Sequence, residues 1–360
     1  MFTNGSKVYK KNLIDFFKLA ILPFLLVFLT NCFVLDDARI EKRNANTREF
    51  ALSVLGLPTI GDSTAKLYYA PLSWVNSPEN ITLLQNPTPE IAARPNKKLI
   101  FIHGWQISDK DIRTYPTEAT LRQRISDLWR EVSATDLFAK VSAKGYDIYF
   151  FTYLSSDPIS LNGQRFRVAL DPLFLNQTNS VYIYAHSMGG LLSKVMLYTT
   201  PLTNYVARIY AFGTPFHGSP WASPEFQKGL IFGELVSFLT STNGGRDLAW
   251  SNYDLSLNAS PNQFLINLSR QTSKDNLINT YYSSLDSNAT GYLGIFTNVL
   301  IGCSQLGTQF SLSDCIVPAR SAFYDRNTNI FKQVDMGKYT HLDINLRISA
   351  IRDLFLSELP

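Results

Sequence analysis

The sequence predicts an α/β fold in which a doubly wound, mostly parallel β-sheet is covered by helices and carries a helical cap or lid insertion. Short continuous runs that are largely apolar predict strands buried on both faces, as in parallel sheets: LIFI at 99–102, YIYA at 182–185 and RIYAF at 208–212. Segments with helical spacing alternate with these runs. Of the 360 residues 45% are apolar, which is enough to fill a large core.

Seven segments are candidate strands: 66–69, 98–103, 147–153, 181–185, 207–212, 279–283 and 298–302. Segments with helix-compatible spacing lie between or after them: 118–132, 163–174, 187–198, 261–269 and, at the C-terminus, 342–356. The stretch 223–275 breaks the alternation. We therefore expect one domain over 61–360, with the insertion at about 222–278.

The N-terminal 31 residues have the pattern of a secretion signal, since four lysines precede the apolar core LAILPFLLVFLT at 19–30. The following Leu29-Thr30-Asn31-Cys32 resembles a relaxed bacterial lipoprotein cleavage box, whose cysteine becomes diacylated. This resemblance implies a signal peptide over 1–31, lipidation of Cys32 and a tether over 32–60. The alternatives are an uncleaved anchor, or an ordinary signal with an incidental cysteine. Each predicts export, and lipidation predicts a bacterial envelope protein on the periplasmic or surface face of a membrane.

The charge balance excludes nucleic acid as a partner. The net charge is +4, but outside the leader the chain has 29 basic and 28 acidic residues, so no basic footprint exists. There is no Gly-rich phosphate loop, no His-Glu-x-x-His and no cysteine metal cluster, so we expect no required cofactor and no catalytic metal. No pattern specifies an oligomeric state.

The most specific motif is Ala185-His186-Ser187-Met188-Gly189-Gly190, between a candidate strand and a candidate helix. Small residues two before and two after the serine permit a cramped strand-to-helix turn that lifts its hydroxyl clear of the sheet. The helix N-terminus favours developing negative charge. The alternative is that Ser187 serves only as a helix N-cap.

This motif resembles the nucleophile elbow of bacterial serine lipases and esterases of the α/β-hydrolase superfamily. Further segments are similar to family motifs in chain order: the strand-His-Gly segment 99–105, the Gly-Thr-Pro loop 212–220, the acid-bearing turn 314–318 and the terminal histidine segment 340–343. The resemblance covers roughly residues 95–350 and implies the fold, a Ser-His-Asp triad and ester hydrolysis.

Carried onto this chain, the resemblance implies Ser187 as nucleophile, Asp314 as acid and His341 as general base, in the family's order. It also implies oxyanion donors at the N–H groups of Met188 and Trp105. The remaining site residues implied are those of the oxyanion loop and the acyl pocket: His103, Gly104 and His217. Elimination among the four histidines also selects His341, because we expect His186, beside the serine, to be directed elsewhere by the turn.

Two cysteines remain after Cys32. Cys303 and Cys315 form an isolated pair in an exported chain, which predicts a disulfide; two unpaired buried thiols are the alternative. Cys315 stands where the family has glycine, so the bridge would close a short loop on the acid and contribute about 3 kcal/mol.

Three carboxylates rival Asp314: Asp325, Asp335 and Asp343. Asp343 also resembles a structural-calcium ligand of some bacterial lipases, although a solvated aspartate at a helix start fits it as well.

The expected function is hydrolysis of carboxylic esters, with lipid esters favoured as substrates. The insertion carries an apolar helical face over 226–239, which fits either a lipase lid or an ordinary cap helix. Acyl transfer or thioester cleavage by the same triad is one alternative. A catalytically silent surface lipoprotein that binds a ligand or a host molecule is another.

Overall fold

The apolar runs of the sequence form the central sheet of the computed structural model, which describes residues 64–106, 117–174, 180–199, 205–223, 242–250, 261–286 and 312–360. The strands are β1 Lys66–Ala70, β2 Lys97–Ile102, β3 Tyr146–Thr152, β4 Val181–His186, β5 Val206–Phe212, β6 Ile278–Tyr282, β7 Leu285–Asp286, β8 Leu312–Ser313 and β9 Lys332–Asp335.

Seven of these strands form one sheet in the order β1-β3-β2-β4-β5-β6-β9, and β7 pairs with β8 separately. Only β1 runs antiparallel to its neighbour in the large sheet; the other described pairs are parallel. The prediction of a mostly parallel sheet is confirmed. Strands β3 and β4 are buried along their whole length, as their mostly apolar sequences predict.

Helices cover both faces of this sheet. The α-helices are α1 Leu72–Val75, α2 Pro89–Ala92, α3 Glu118–Ser133, α4 Leu137–Ala143, α5 Ile159–Leu170, α6 Met188–Thr199, α7 Asn243–Asp247, α8 Gln263–Ser269, α9 Ala319–Ala322 and α10 Ser349–Glu358. Short 3₁₀ turns occupy Ile81–Leu83, Asp171–Phe174, Pro220–Ala222 and Asp275–Leu277.

Strand alternation divides the core into two layers. Ile183 and Ala185 of β4 pack with α5 and α6, whereas Tyr182 and Tyr184 pack with α3, α4 and α10. Successive side chains of a strand point to opposite faces, so each buried strand contributes to both layers. The two layers fix β4 between them, and β4 leads directly to the serine.

The C-terminal helix differs from its predicted bounds. The sequence predicts a helix over 342–356, but α10 begins only at Ser349. Leu346 adopts a φ of +59°, which an α-helix does not allow, and Asp343 bonds back to Thr340 in a local turn. Helix α5 begins at Ile159, four residues before its predicted start, and β9 was not predicted.

Several predictions fall on residues outside the described ranges: the signal over 1–31, Cys32, the tether over 32–60, the helix at 226–239, the strand at 298–302 and Cys303. Among the helices that the structure describes, none combines the length and the apolar character needed to cross a bilayer.

Candidate active site

Ser187 occupies a sharp turn between β4 and α6. Its φ is +54°, a left-handed conformation that is uncommon for a residue with a side chain and differs from the extended backbone of an N-cap. Its N–H donates to the Phe212 carbonyl at the end of β5, 2.8 Å away. A Cβ on Gly104 would lie 2.8 Å from Ser187 Cβ, so this close approach requires glycine. The motif thus forms the strained strand-to-helix turn that the sequence predicts.

Asp314 and His341 form a buried pair, at 1% and 7% exposure. His341 Nδ1 lies 2.7 Å from Asp314 Oδ2, and the His341 N–H donates to the Asp314 carbonyl at 2.8 Å. The other carboxylate oxygen, Oδ1, accepts the N–H groups of Ile316 and Val317 at 3.0 and 2.7 Å. The carboxylate is therefore held by its own turn while one oxygen faces the imidazole.

Gly213 connects this pair to the serine. It follows Phe212, the residue that binds the Ser187 N–H, and has a φ of +56°. A Cβ on Gly213 would lie 3.1 Å from Asp314 Oδ2 and 3.2 Å from His341 Cε1. The structure therefore brings the three predicted triad residues to the same edge of the sheet, at the carboxyl ends of β4 and β5.

Within the described residues, Ser187 Oγ and His341 Nε2 are not hydrogen-bonded to each other; the His341 ring bonds through Nδ1. In enzymes without substrate this contact is often long and tightens when substrate binds.

The predicted oxyanion loop follows β2 and is held by residues that follow β3. The Ser155 hydroxyl accepts the Gln106 N–H at 2.8 Å and donates to the Gln106 carbonyl at 3.3 Å. The Tyr153 hydroxyl donates to the His103 carbonyl at 2.7 Å. These bonds fix the backbone on both sides of Trp105. Met188 begins α6, so its N–H has no intrahelical acceptor, as an oxyanion donor requires.

His103 shapes this loop from within the core. Its ring stacks on Tyr153 with the centroids 4.2 Å apart, and its Nδ1 lies 2.7 Å from the Gly104 carbonyl. Burial, with a smaller contribution from the charge of Arg124, lowers the pKa of His103 well below its usual value. This histidine is therefore neutral at physiological pH and cannot add charge to the site.

His217 lies in the loop after β5 and contacts the segment that follows the acid. Its N–H donates to Ser321 Oγ at 3.0 Å, and its Nε2 lies 2.9 Å from the Asp325 carbonyl. The ring packs edge-on against Tyr324 at 5.3 Å. Burial lowers its pKa. These contacts tie the loop after β5 to the acid-bearing segment; lining of an acyl pocket by His217 stays a prediction.

Cys315 stands where the acid-bearing motif that the sequence resembles has glycine. Its φ is +75°, in the left-handed region that glycine adopts most readily, and the residue is fully buried. Trp221 Nε1 donates to the Cys315 carbonyl at 2.9 Å and so holds the strained turn next to Asp314. The predicted partner, Cys303, lies outside the described residues, and the disulfide stays a prediction.

The rival carboxylates have other partners. Asp325 pairs with Arg320 at 2.7 Å, Asp335 accepts the Gly337 N–H at 2.8 Å, and Asp343 Oδ2 accepts the Thr340 N–H at 3.0 Å. Asp314 is the one of the four that contacts His341 in the described structure. Among the described residues, no group of three or more His, Cys, Asp or Glu is arranged to hold a metal ion, and structural calcium at Asp343 stays a prediction.

From the sequence we expect the turn to direct His186 elsewhere, and the structure places its ring against His341, the predicted general base. Its Nε2 lies 3.0 Å from the His341 carbonyl, and the two ring centroids are 4.7 Å apart. The alternation of side chains along β4 could have predicted this position, because His186 and Tyr184 lie on the same face of the strand. The Tyr184 hydroxyl donates to the Ile344 carbonyl at 3.4 Å. The segment bearing His341 therefore covers this face.

Comparison with known proteins gives the fold. No protein-family model matches the chain, and no curated protein matches it either. The metagenomic carboxyl esterase MGS0156 is similar in structure, with 14% identity over 76% of this chain and 78% of its own, and a TM-score of 0.48. The mature Bacillus licheniformis lipase BlEst2 is similar at 19% identity over 73% of this chain and 92% of its own, with a TM-score of 0.50. The likeness to BlEst2, together with the mostly parallel seven-stranded sheet and its flanking helices, shows that the chain has the α/β-hydrolase fold.

Proposed function

We propose that this protein is an exported serine hydrolase that cleaves carboxylic esters, with lipid esters as its preferred substrates. The observation that carries the proposal is the 2.7 Å contact between His341 Nδ1 and Asp314 Oδ2, next to a serine held on a strained strand-to-helix turn. An acid that binds Nδ1 leaves Nε2 free to accept a proton, which is the arrangement that acyl transfer from a serine requires.

In the proposed mechanism, His341 Nε2 takes the Ser187 proton as the hydroxyl oxygen attacks the ester carbonyl. Asp314 holds the imidazole tautomer and stabilises the imidazolium, which then protonates the leaving alcohol. The oxyanion accepts hydrogen bonds from the N–H groups of Met188 and Trp105, and such donors contribute about 3–4 kcal/mol each. Water then attacks the acyl-enzyme while His341 takes its proton, and the imidazolium returns that proton to Ser187 as the carboxylic acid leaves.

Exposed apolar side chains next to the acid–base pair support a lipid substrate. Leu312 precedes Asp314 by two residues and is 43% exposed, and Leu342 follows His341 and is 54% exposed. Apolar surface at the rim of a site favours the apolar chains of a substrate, because their burial removes both surfaces from water.

A fluorophosphonate probe tests the nucleophile. We expect it to label Ser187 in the wild-type protein, and we expect Ser187→Ala to lose labelling and about 10⁶ in the rate of p-nitrophenyl ester hydrolysis. Ser193→Ala is the matched control, since Ser193 is a buried serine of the following helix α6 whose hydroxyl donates to the Gly189 carbonyl at 2.8 Å. Undiminished labelling of Ser187→Ala would contradict the proposal.

An ester chain-length series tests the substrate class. We expect kcat/KM to rise from acetyl to long-chain acyl esters, because each additional buried methylene contributes about 0.8 kcal/mol. A flat series would indicate small esters. Product analysis with an added alcohol acceptor separates hydrolysis from acyl transfer, since a transferase forms the new ester in preference to the free acid.

We further propose that Cys32 is lipidated and anchors the protein to the bacterial cell envelope. Cys32→Ala should release the protein from the membrane fraction and abolish metabolic labelling with palmitate. Unchanged fractionation would favour an uncleaved N-terminal anchor.

A disulfide between Cys303 and Cys315 is the remaining part of this proposal. The buried, left-handed Cys315 lies beside the proposed acid, so the bridge would stabilise the turn that presents Asp314. Mass mapping without reductant should find the two peptides linked, and Cys303→Ser should lower both stability and turnover. Free alkylation of both thiols in the native exported protein would rule the bridge out.

A further inference from the structure

His186 makes contacts that the proposed mechanism leaves unexplained. It is the last residue of β4, directly before Ser187, and is only 6% exposed. Its ring lies between two parts of the site. On one side Nε2 reaches the His341 carbonyl at 3.0 Å. On the other, a Cβ on Gly104 would lie 3.3 Å from His186 Nδ1, so the oxyanion loop passes close to this ring.

The contact to His341 completes the anchoring of that residue's main chain. The His341 N–H donates to the Asp314 carbonyl at 2.8 Å, and the His341 carbonyl accepts from His186 Nε2–H at 3.0 Å. Each peptide group beside the general base thus has one fixed hydrogen bond. The first bond joins His341 to Asp314, and the second joins His341 to His186, the residue next to Ser187. The backbone of His341 is therefore held in place relative to both Asp314 and Ser187.

The hydrogen-bond direction also determines the form of the His186 ring. A carbonyl only accepts, so Nε2 must carry the proton. Burial, together with the nearby charge of His341, lowers the pKa of His186 well below its usual value, and the ring is neutral in the working enzyme. A neutral donor is also what the mechanism tolerates, because a second cation 4.7 Å from the His341 ring would oppose the imidazolium that forms there.

We propose that His186 is a positioning residue that holds the main chain of the general base His341 at the nucleophile turn. The inference rests on the proposed esterase function for its kinetic consequence, although the contact itself does not depend on the substrate. Proton transfer from Ser187 requires hydrogen-bond reach, and a displacement of about 1 Å in a catalytic group can cost about 100-fold in rate. Loss of the tether therefore affects the chemical step more than substrate binding.

Two substitutions separate the hydrogen bond from the bulk of the ring. His186→Leu fills the space but removes the donor, and we expect kcat to fall about 10- to 100-fold while KM changes less than about 3-fold. His186→Gln places an amide Nε2 the same number of bonds from Cα as the imidazole Nε2. It can donate to the same carbonyl, so we expect kcat to recover to within about 5-fold of wild type.

Tyr210→Phe is the matched control for stability. The Tyr210 hydroxyl donates to the Glu358 carbonyl at 2.9 Å, so this substitution also removes a side-chain donor from a main-chain carbonyl, but at the end of α10 and not at His341. We expect both Tyr210→Phe and His186→Leu to lower the melting temperature and only His186→Leu to lower kcat. Equal kcat in wild type and His186→Leu would overturn the proposal, as would a loss that His186→Gln leaves unrepaired.

Proton NMR supplies a readout that does not depend on activity. The proton between His341 Nδ1 and Asp314 Oδ2 should resonate at low field, shift or broaden in His186→Leu and return in His186→Gln. An unchanged resonance in His186→Leu would overturn the positioning role. If the wild-type protein neither hydrolyses esters nor reacts with fluorophosphonate, the proposed function fails, while the resonance still decides whether His186 positions His341.

Discussion

At the scale of single residues, the site depends on two strained backbone positions. Ser187 and Cys315 both have side chains and both adopt left-handed φ values, +54° and +75°. Ser187 is the proposed nucleophile and Cys315 follows the proposed acid. Each is held by a hydrogen bond to a neighbouring element: the Ser187 N–H donates to the Phe212 carbonyl, and the Cys315 carbonyl accepts from Trp221 Nε1. Such strain persists only where the surrounding structure over-determines it, which is typical of functional sites.

The role of Asp314 gives a residue-scale prediction. Asp314→Asn keeps the turn but offers an amide in place of the carboxylate that binds His341 Nδ1, so the imidazole adopts the wrong tautomer. We expect kcat to fall about 10⁴-fold in a p-nitrophenyl ester assay. Asp335→Asn is the control, since the Asp335 side chain is exposed and its carboxylate accepts only the Gly337 N–H among the described residues. A dead Asp335→Asn with an active Asp314→Asn would reverse the assignment.

At the scale of elements, the described part of the insertion packs against the loop that supports the oxyanion loop. A Cβ on Gly244 of α7 would lie 2.1 Å from the Ser155 carbonyl, and the Gly244 N–H donates to the Ser156 carbonyl at 3.1 Å. Asp247 at the end of α7 accepts the Ile159 N–H at 2.8 Å. It therefore caps α5, whose own N-cap residue, Pro158, makes no side-chain cap hydrogen bond.

This cap has a pH dependence. Burial raises the pKa of Asp247 to about 6, and the hydrogen bond from Ile159 only partly opposes the shift. The folded protein therefore binds this proton more tightly than the unfolded chain, whose aspartate has a pKa of about 4. Between about pH 4 and pH 6 the contribution of Asp247 to stability falls as the pH rises. Above about pH 6 the folded protein bears the full free-energy cost of burying the ionised carboxylate.

Asp247→Asn tests this sign. The amide oxygen still accepts the Ile159 N–H but carries no charge, so we expect the variant to be more stable than wild type by about 1–3 kcal/mol at pH 7. The difference should vanish near pH 4. Urea unfolding at both pH values measures it. A constant difference across this range would contradict the assignment of the raised pKa to Asp247.

At the scale of the whole molecule, a buried network around an ion pair joins helix α6, which follows Ser187, to the turn before β6 and to the segment after Asp314. Lys194 of α6 donates to Asp275 Oδ2 at 2.6 Å and to the Tyr324 hydroxyl at 2.8 Å, and both charged side chains are fully buried. Tyr198 donates to the other oxygen of Asp275 at 3.1 Å. Tyr324 in turn stacks on Phe216 of the loop after β5, with centroids 4.3 Å apart. The network links the supports of Ser187 and Asp314.

Removal of one partner should therefore destabilise the fold strongly. Lys194→Met leaves the Asp275 carboxylate without its cation in the core, and we expect a loss of about 3–5 kcal/mol in the free energy of unfolding. Lys140→Met is the control, because Lys140 pairs with Asp136 at 2.8 Å on the surface and should unfold like wild type. Urea midpoints measure both variants. Similar midpoints for the two would show that the buried pair contributes no more than a surface pair.

Local patterns were sufficient for much of the fold. Apolar runs of four to six residues placed the buried strands β2 to β5, because most side chains of a strand that is covered on both faces are apolar. The elements that the sequence analysis missed lack this signal. Strand β9, which was not predicted, is polar and mostly exposed at the edge of the sheet. The residues after Asp343 have helical spacing, which predicts a helix there, but the left-handed Leu346 prevents one before Ser349.

The sequence by itself determined the fold class, the strand-to-helix turn at Ser187 and the chain order of the three proposed triad residues, because each depends on neighbouring residues or on motifs of a few positions. The tertiary structure separated Asp314 from the three rival carboxylates, and it alone decided where the His186 ring points and how Lys194 is neutralised. These contacts join residues 27, 155 and 81 positions apart. Their formation depends on sheet order and on the packing of the C-terminal segment over β4, which no local pattern encodes.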